Sequence, residues 1–199
     1  MTINGWQRRD GGLAHIPEDR IHVGLNLETN LDENLIVSRY KLGQFNRAGF
    51  LNRRSMRDFA IDVIKRFSIA AAVPGGGISR LSGGNMQKLI LGRALSVGDQ
   101  VAAGAPPVLI VANQPTWGLD VGAVAGIHGK LLAAAGHGAA ILIISEDLDE
   151  IFAIADRVAV MYKGALGAVR PVEQWTLAAI GLAMAGNPAG ETLEASDAA

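Results

Sequence analysis

The chain has 199 residues, of which 49% are hydrophobic, so it is long enough to bury the core of one domain. Its formal net charge of −1 excludes a general attraction to nucleic acid or acidic membranes, and the absence of cysteine excludes disulfides and thiolate metal sites. The longest apolar runs, near residues 108–112 and 139–144, are far shorter than a membrane span, and the polar N-terminus has no apolar signal core. We therefore expect a soluble chain whose contact with a membrane comes through a partner.

A short strand and a charged turn are predicted near the start of the chain. Residues 12–16 predict a strand that Pro17 ends, and Glu18, Asp19 and Arg20 follow it. These charges are also compatible with a surface turn held by a local contact between Asp19 and Arg20.

Two helices joined by an aromatic and basic loop are predicted next. Asn30 or Asp32 can cap a helix that runs through Tyr40, and a second helix is predicted over residues 55–68. The apolar face of the second helix consists of Met56, Phe59, Val63 and Phe67. The loop over residues 44–54 carries two phenylalanines and, with Arg57 included, four basic residues. This pattern also suggests nucleic-acid binding, but the cluster is small and the chain slightly acidic, which favours a solvated face or a docking loop.

The sequence Leu-Ser-Gly-Gly-Asn-Met-Gln-Lys at residues 81–88 predicts a glycine turn that opens a helix. Ser82 is a good N-cap, and the apolar residues that recur at helical spacing are Met86, Leu89, Ile90 and Ala94. Glycine allows close approach of the backbone to a ligand, and the unpaired N–H groups of a helix start suit a phosphate. The alternative is an ordinary loop-to-helix junction.

The second half of the chain predicts buried strands that alternate with helices, in the pattern of a parallel α/β fold. The predicted strands cover residues 108–112 and 140–144, and the predicted helices cover 121–135, 148–155 and 173–185. The inner face of the first of these helices is predicted to consist of Val124, Ile127, Leu131 and Ala135. Residues 157–162 and 165–169 predict a hairpin around Lys163 and Gly164. The acidic, alanine-rich segment after Gly186 is expected to be disordered.

Three motifs, in this order and spacing, resemble those of ATP-binding-cassette (ABC) ATPases. Residues 81–88 resemble the signature motif, residues 115–120 the end of Walker B and the D-loop, and residues 144–150 the switch region. The similarity is closest to the C-terminal cassette of double-cassette ATPases for simple-sugar and nucleoside uptake, and it extends from about Gly12 to Gly186. It implies an α/β, P-loop NTPase-like fold with a parallel sheet core and a helical subdomain.

The resemblance also implies a division of the chain and a docking surface. Residues 1–27 correspond to a strand and Q-loop-like turn of the core, 28–80 to the helical subdomain, 81–186 to the signature through the C-terminal helix, and 187–199 to a disordered tail. In the family the helical subdomain docks against the membrane-spanning subunit. The residues expected to contact a permease are therefore Phe45, Phe50, Arg53 and Arg54.

In the family two cassettes face each other head to tail, so that the signature of one covers the ATP held by the other. The resemblance therefore assigns nucleotide contact in trans to Ser82, Gly83, Gly84, Asn85 and Gln87. It assigns the contact between cassettes to Asp120. Glu18 takes the Q-loop position, where glutamine is usual.

The positions that would perform chemistry are altered. The Asp-Glu pair of the family is Asn113-Gln114 here, so magnesium loses its anionic partner and the attacking water its general base. The switch histidine is Glu146, which would repel the γ-phosphate. No G-x-x-x-x-G-K-[ST] loop occurs, so the sequence resembles a cassette without its first third. We therefore expect no metal site of its own, no ATP hydrolysis by the chain alone, and ATP and Mg²⁺ held mainly by a partner cassette.

The leading hypothesis is an importer component peripheral to the cytoplasmic face of the membrane. Its expected partners are a second cassette, a permease and, indirectly, a substrate-binding protein, but no nucleic acid. One alternative is a non-functional remnant of such a cassette. The other is a fragment of an ABC-type DNA-maintenance ATPase, although those proteins carry coiled-coil insertions and no sustained heptads occur here.

Overall fold

The computed structural model describes residue 8, residues 11–96 and residues 107–187. These residues form two compact units, the first ending at Ile144 and the second beginning at Ser145. Residues 1–10, apart from residue 8, lie outside the described residues, and so does the predicted disordered tail from residue 188 onward. The predicted boundaries at residues 27 and 80 stay a prediction.

A parallel sheet lies at the centre of the first unit. Its strands are β1 (Leu13–Ile16), β4 (Leu109–Asn113) and β5 (Ala140–Ile144), in the order β1-β4-β5. Leu109 pairs with Leu13 on one side and with Ala140 on the other. Because the strands are parallel, their carboxyl ends meet at one edge, where residues 17, 114 and 145 follow them. The parallel α/β core predicted from the sequence is confirmed.

The helices of the first unit are α1 (Leu31–Ile36), α2 (Arg53–Phe67), α3 (Gly83–Leu95) and α4 (Val121–Gly136). Side chains of Asn30, Asn52, Ser82 and Asp120 cap them, each accepting a backbone N–H of its own first turn. A two-stranded hairpin, β2 (Asn46–Arg47) with β3 (Phe50–Leu51), precedes α2. The predicted apolar face of α2 is confirmed, since Met56, Phe59, Val63 and Phe67 are buried. On α4 only Ile127 and Leu131 are buried, and Ala135 is exposed.

Helix α1 is shorter than predicted and ends at Ile36 rather than Tyr40. The chain turns there, and the N–H of Arg39 donates to the carbonyl of Ile36 at 2.7 Å. The buried guanidinium of Arg39 then donates to the carbonyls of Ser96, at 3.2 Å, and Arg93 at the carboxyl end of α3. Burial and the charges of Arg93 and Arg66 lower the pKa of Arg39 to about 10. Arg39 is therefore still a cation at neutral pH, which suits the negative end of a helix dipole.

The two faces of the sheet differ in burial. Ala14, Ile16, Ile110 and Ala112 are buried on the face that carries the helices. On the opposite face Leu142 is 52% and Ile144 50% exposed. The prediction of 140–144 as a fully buried strand is therefore wrong, because β5 is an edge strand of the described sheet and its residues alternate between the two faces.

The second unit is smaller and holds short elements. Asp147 caps helix α5 (Leu148–Ile154), and Thr176 caps helix α6 (Leu177–Met184). Strands β6 (Arg157–Val158) and β9 (Arg170–Pro171) pair, as do β7 (Met161–Tyr162) and β8 (Ala165–Leu166). The predicted turn at Lys163 and Gly164 is confirmed, but each of its strands has only two residues. The predicted helix 173–185 is interrupted at Trp175, which is extended and donates its indole N–H to the Val158 carbonyl at 3.2 Å.

In the part of the chain that the structure describes, no helix combines the length and apolar character needed to cross a bilayer.

Candidate functional site

The start of α3 presents hydrogen-bond donors that no described residue accepts. The Ser82 hydroxyl oxygen accepts the backbone N–H of Asn85, at 3.4 Å, and its side-chain amide, at 3.0 Å. A serine hydroxyl has two lone pairs and one proton, so this proton is left to donate outward. The N–H groups of Gly83 and Gly84 occupy the first two helical positions, which have no acceptor within a helix. Ser82 and Gly83 are exposed, so these donors are open to an anion.

The side chain of Asn85 links Ser82 to the backbone of Ala70. Its side-chain oxygen accepts the N–H of Ala70 at 2.9 Å, while its amide nitrogen donates to Ser82. Both ends of the side chain are thus occupied, and their effect is to hold the Ser82 oxygen in place. The nucleotide contact predicted for Asn85 stays a prediction.

The direct nucleotide contact predicted for Gln87 is wrong. Its side chain is 1% exposed and donates to the carbonyl of Pro115 at 2.7 Å. Gln87 therefore ties α3 to the loop over residues 114–119 and is out of reach of a ligand outside the helix.

The structure brings together two of the altered positions at the carboxyl edge of the sheet. The side-chain amide of Asn113 donates to a carboxylate oxygen of Glu18 at 3.3 Å. Gln114 follows with a left-handed backbone, φ +47°, and its N–H donates to the carbonyl of Ile144 at 2.8 Å. Glu146 belongs to the second unit, where its side chain is exposed.

The residues at this edge do not complete a magnesium site without the phosphates of a nucleotide. Mg²⁺ in proteins is bound by one or two carboxylates together with substrate phosphates, and Glu18 is the one carboxylate of the Glu18–Asn113 pair. Among the described residues no group of three histidine, aspartate or glutamate side chains has the spacing to hold a metal ion. Asp120 is engaged as the N-cap of α4 and accepts the N–H of Ala123 at 3.0 Å.

The predicted permease-contact residues divide into buried and exposed ones. Phe45 is 1% exposed and packs edge-on against Phe59, with ring centres 5.4 Å apart, so its predicted contact with a partner is wrong. Phe50 is 80% exposed on the β2–β3 hairpin. Arg53 and Arg54 are exposed in the first turn of α2, where positive charge opposes the helix dipole. Neither guanidinium bonds to a described residue, and with Arg57 they line a cavity of about 470 Å³.

The contacts that Arg20 makes were not predictable from the sequence. Its guanidinium donates to the carbonyl of Gly83 at 3.1 Å and to the carbonyl of Trp117. Its partial burial lowers its pKa. The alternative contact between Asp19 and Arg20 is wrong, because the Asp19 carboxylate instead accepts the backbone N–H of His22 at 2.9 Å and lies 2.9 Å from Nδ1 of its ring. Both contacts lower the pKa of Asp19, and the bond from the His22 backbone N–H has the larger effect.

Known proteins are similar to this chain over most of its length. The nucleoside import ATP-binding protein NupA of Lactococcus lactis subsp. cremoris is 35% identical over 179 residues, covering 90% of this chain and 34% of that protein. The guanosine import ATP-binding protein NupO of Bacillus subtilis is 33% identical over 204 residues, covering 98% of this chain and 38% of that protein. The ribose import ATP-binding protein RbsA 2 of Streptomyces avermitilis is 37% identical over 178 residues, covering 89% of this chain and 33% of that protein. The chain thus spans about a third of the length of the curated relatives it matches.

A solved structure of an ATP-binding cassette has the same fold. The dimeric post-hydrolysis state of the cassette MJ0796, bound to ADP and Pi, aligns with a TM-score of 0.65 at 19% identity, covering 85% of this chain and 66% of that one. This chain is a homologue of the ATP-binding proteins of ABC importers. The predicted family resemblance and cassette fold of this ABC homologue are confirmed. No family model matches the chain.

Proposed function

We propose that this ABC homologue is a component of an importer for nucleosides or simple sugars and acts on ATP held by a second cassette. The observation that carries the proposal is the set of outward donors on Ser82, Gly83 and Gly84 at the start of α3. The relatives are import proteins for nucleosides, guanosine and ribose, which supports the substrate class. The dimeric state of MJ0796 supports a pairing of cassettes.

In this proposal the partner cassette binds ATP and Mg²⁺, and this chain supplies fixed hydrogen-bond donors to the phosphates. The Ser82 hydroxyl and the two glycine N–H groups donate to phosphate oxygens, and the positive end of the α3 dipole favours the charge that they carry. Preorganised donors of this kind lower the barrier of a reaction, since they need no reorientation while charge develops.

The chain's own half of the composite site does not hydrolyse ATP in this proposal. Asn113 and Gln114 carry no charge, so neither can act as a general base towards water at neutral pH. Glu146 adds negative charge where the family has a histidine. The ATPase activity that we propose therefore belongs to the partner's half.

The same proposal locates the chain at the cytoplasmic face of a membrane, bound to a permease. The surface suited to that contact, which we call the hairpin surface, consists of Phe50, Arg53 and Arg54. It combines an exposed aromatic ring with arginines that have no described partner, and these are the residue types that anchor protein interfaces. The longest described helix, α4, has 16 residues and provides no coiled-coil arm, so the described part of the chain favours an importer over a DNA-maintenance ATPase.

The decisive experiment is an ATPase assay of a co-purified partner cassette with variants of this chain. Ser82→Arg places a long cation where the phosphate would approach, and we expect it to lower the partner's rate by roughly a hundredfold or more. Loss of the helix cap alone costs about 1 kcal/mol, so the variant should remain folded. Ser79→Arg is the matched control, because it makes the same exchange at an exposed serine three residues earlier and should leave the rate unchanged.

Two results would count against this proposal. An unchanged rate with Ser82→Arg would exclude a role of the signature in trans. A large gain with Gln114→Glu would show that this chain carries its own catalytic half, whereas we expect that variant to change little.

The hairpin surface is tested separately by co-purification with the permease. Replacing Phe50 and Arg54 together by serine should abolish co-purification without lowering the melting temperature, since neither side chain is part of the core. Lys65→Ser, at an exposed position near the far end of α2, is the control and should retain it. If the double variant still co-purifies, the permease binds another surface.

A further inference from the structure

Arg20 joins two segments that are distant in the sequence. Its Nη1 donates to the carbonyl of Gly83 at 3.1 Å, and its Nη2 donates to the carbonyl of Trp117 in the loop after β4. The guanidinium carbon also lies 5.8 Å from the centre of the Trp117 ring. A planar guanidinium can make these contacts at once, because its donors point in fixed directions within one plane.

Glycines in both segments leave room for the guanidinium. A Cβ at Gly83 would lie 3.2 Å from Nη1, and a Cβ at Gly118 would lie 3.5 Å from Nη2. Gly118 also has a φ of +69°, which side chains rarely adopt. Trp117 is 68% exposed, so packing fixes its own side chain only weakly.

A second connection runs between the same helix and the same loop. Gln87 lies one helical turn after Gly83, and its side chain donates to the carbonyl of Pro115 at 2.7 Å. The two connections together fix the first turn of α3 relative to the residues that follow β4.

The Gly83 carbonyl and the Gly84 N–H belong to one planar peptide group and point in opposite directions. A donor that holds the carbonyl therefore also sets the direction of the N–H. A cation on the carbonyl further polarises the peptide, which makes its N–H a stronger donor. Arg20 thus acts on the N–H group that faces the ligand in the proposed function.

We propose that Arg20 is a positioning residue that orients and polarises the Gly84 N–H toward the phosphate bound by the partner cassette. This inference rests on the function proposed above. It assigns Arg20 no contact with the nucleotide and no part in bond breaking.

The test uses two variants of Arg20. Arg20→Met keeps most of the side-chain length but loses every hydrogen-bond donor, and Arg20→Lys keeps the positive charge but loses the planar guanidinium that reaches two carbonyls at once. The control is Arg80→Met, at an exposed arginine just before the signature that has no described contact. In nuclear magnetic resonance spectra, we expect the chemical shift of the Gly84 amide to change in both Arg20 variants and to remain unchanged in the control. We expect kcat of the partner's ATPase to fall roughly ten- to hundredfold in both, with a smaller change in KM for ATP.

The outcomes separate this inference from the proposed function. If Ser82→Arg lowers the partner's rate but both Arg20 variants retain it, the inference fails and the function stands. If neither Ser82→Arg nor the Arg20 variants change the rate, both fail. A full rate in Arg20→Lys with a loss in Arg20→Met would mean that positive charge is sufficient without the two guanidinium hydrogen bonds. That result would contradict the role of Arg20 as a positioning residue. Should Arg20→Met not fold, Arg20→Lys and the Gly84 resonance decide.

Discussion

Glu18 and Asn113 place one carboxylate and one amide side by side at the ends of neighbouring strands. The side-chain amide of Asn113 donates to a carboxylate oxygen of Glu18 at 3.3 Å. The resemblance to the family predicts glutamine and aspartate at these two positions, so this chain would carry the carboxylate and the amide in exchanged places. The one negative charge of the pair lies on the turn after β1.

Asn113→Asp tests this exchange, because it sets two carboxylates against each other. We expect the free energy of unfolding at pH 7 and low salt to fall by about 1 kcal/mol, and by less at high salt. Repulsion raises the pKa of a carboxyl in the folded state, so the loss should disappear as the pH falls toward 4 and a proton is taken up. Urea denaturation at several pH values measures it.

The double variant Glu18→Gln with Asn113→Asp is the control for that series. It restores one carboxylate and one amide, so its stability should return close to that of the parent chain. An equal loss in the single and double variants would mean that these two side chains do not interact.

Among the elements, the crossing of α2 and α3 depends on one small residue. Gly92 is buried in α3, and a Cβ built on it would lie 2.5 Å from Val63 Cγ1 and 3.3 Å from Phe67 Cδ2. Both neighbours are buried on α2, so they cannot move aside into solvent. The absence of a side chain at position 92 therefore sets how closely the two helices approach.

We expect Gly92→Ala to lower the free energy of unfolding by about 1–3 kcal/mol, because the added methyl overpacks the contact. Gly129→Ala in α4 makes the same exchange at an exposed position with no atom within 4 Å of the new Cβ. It should stabilise the chain by up to about 1 kcal/mol through helix propensity. Chemical denaturation of both variants should give changes of opposite sign, and a shared sign would refute this account of the crossing.

At the scale of the whole described structure, the exposed face of the sheet in the first unit is the most unusual feature. Parallel sheets are normally covered on both faces, whereas Leu142 and Ile144 on β5 are half exposed. Ile141 and Ile143 point to the other face and pack against the core. Adjacent residues on one strand thus lie in opposite environments.

Leu142→Thr should lower the fluorescence of a bound hydrophobic dye and change the free energy of unfolding by no more than about 0.5 kcal/mol. Ile143→Thr, one residue further, should lower the free energy of unfolding by about 1–3 kcal/mol, because it puts a hydroxyl against the core. Dye titration and thermal melts of the two variants make the comparison. The reverse order of stability would mean that the strand presents its other face to the core.

The features that the sequence determined by itself are those that depend on neighbouring residues. Ser82 as the cap of α3, the start of α4 at Val121 and the buried face of α2 were all predicted, because capping and helical periodicity act within three or four positions. Strand β5 was predicted at its observed bounds for the same local reason. The order of the three family motifs also lies in the sequence alone, and it was sufficient to predict the cassette fold.

Only the tertiary structure decided which distant groups meet. Arg20 reaches carbonyls 63 and 97 residues away, and Gln87 reaches one 28 residues away. Each contact is made to a backbone carbonyl, an acceptor that every residue carries, so no pattern of side chains marks the partner. The burial of Phe45 and the exposure of β5 likewise depend on which elements lie beside them, since the same apolar residue is compatible with a core, an interface or an open edge.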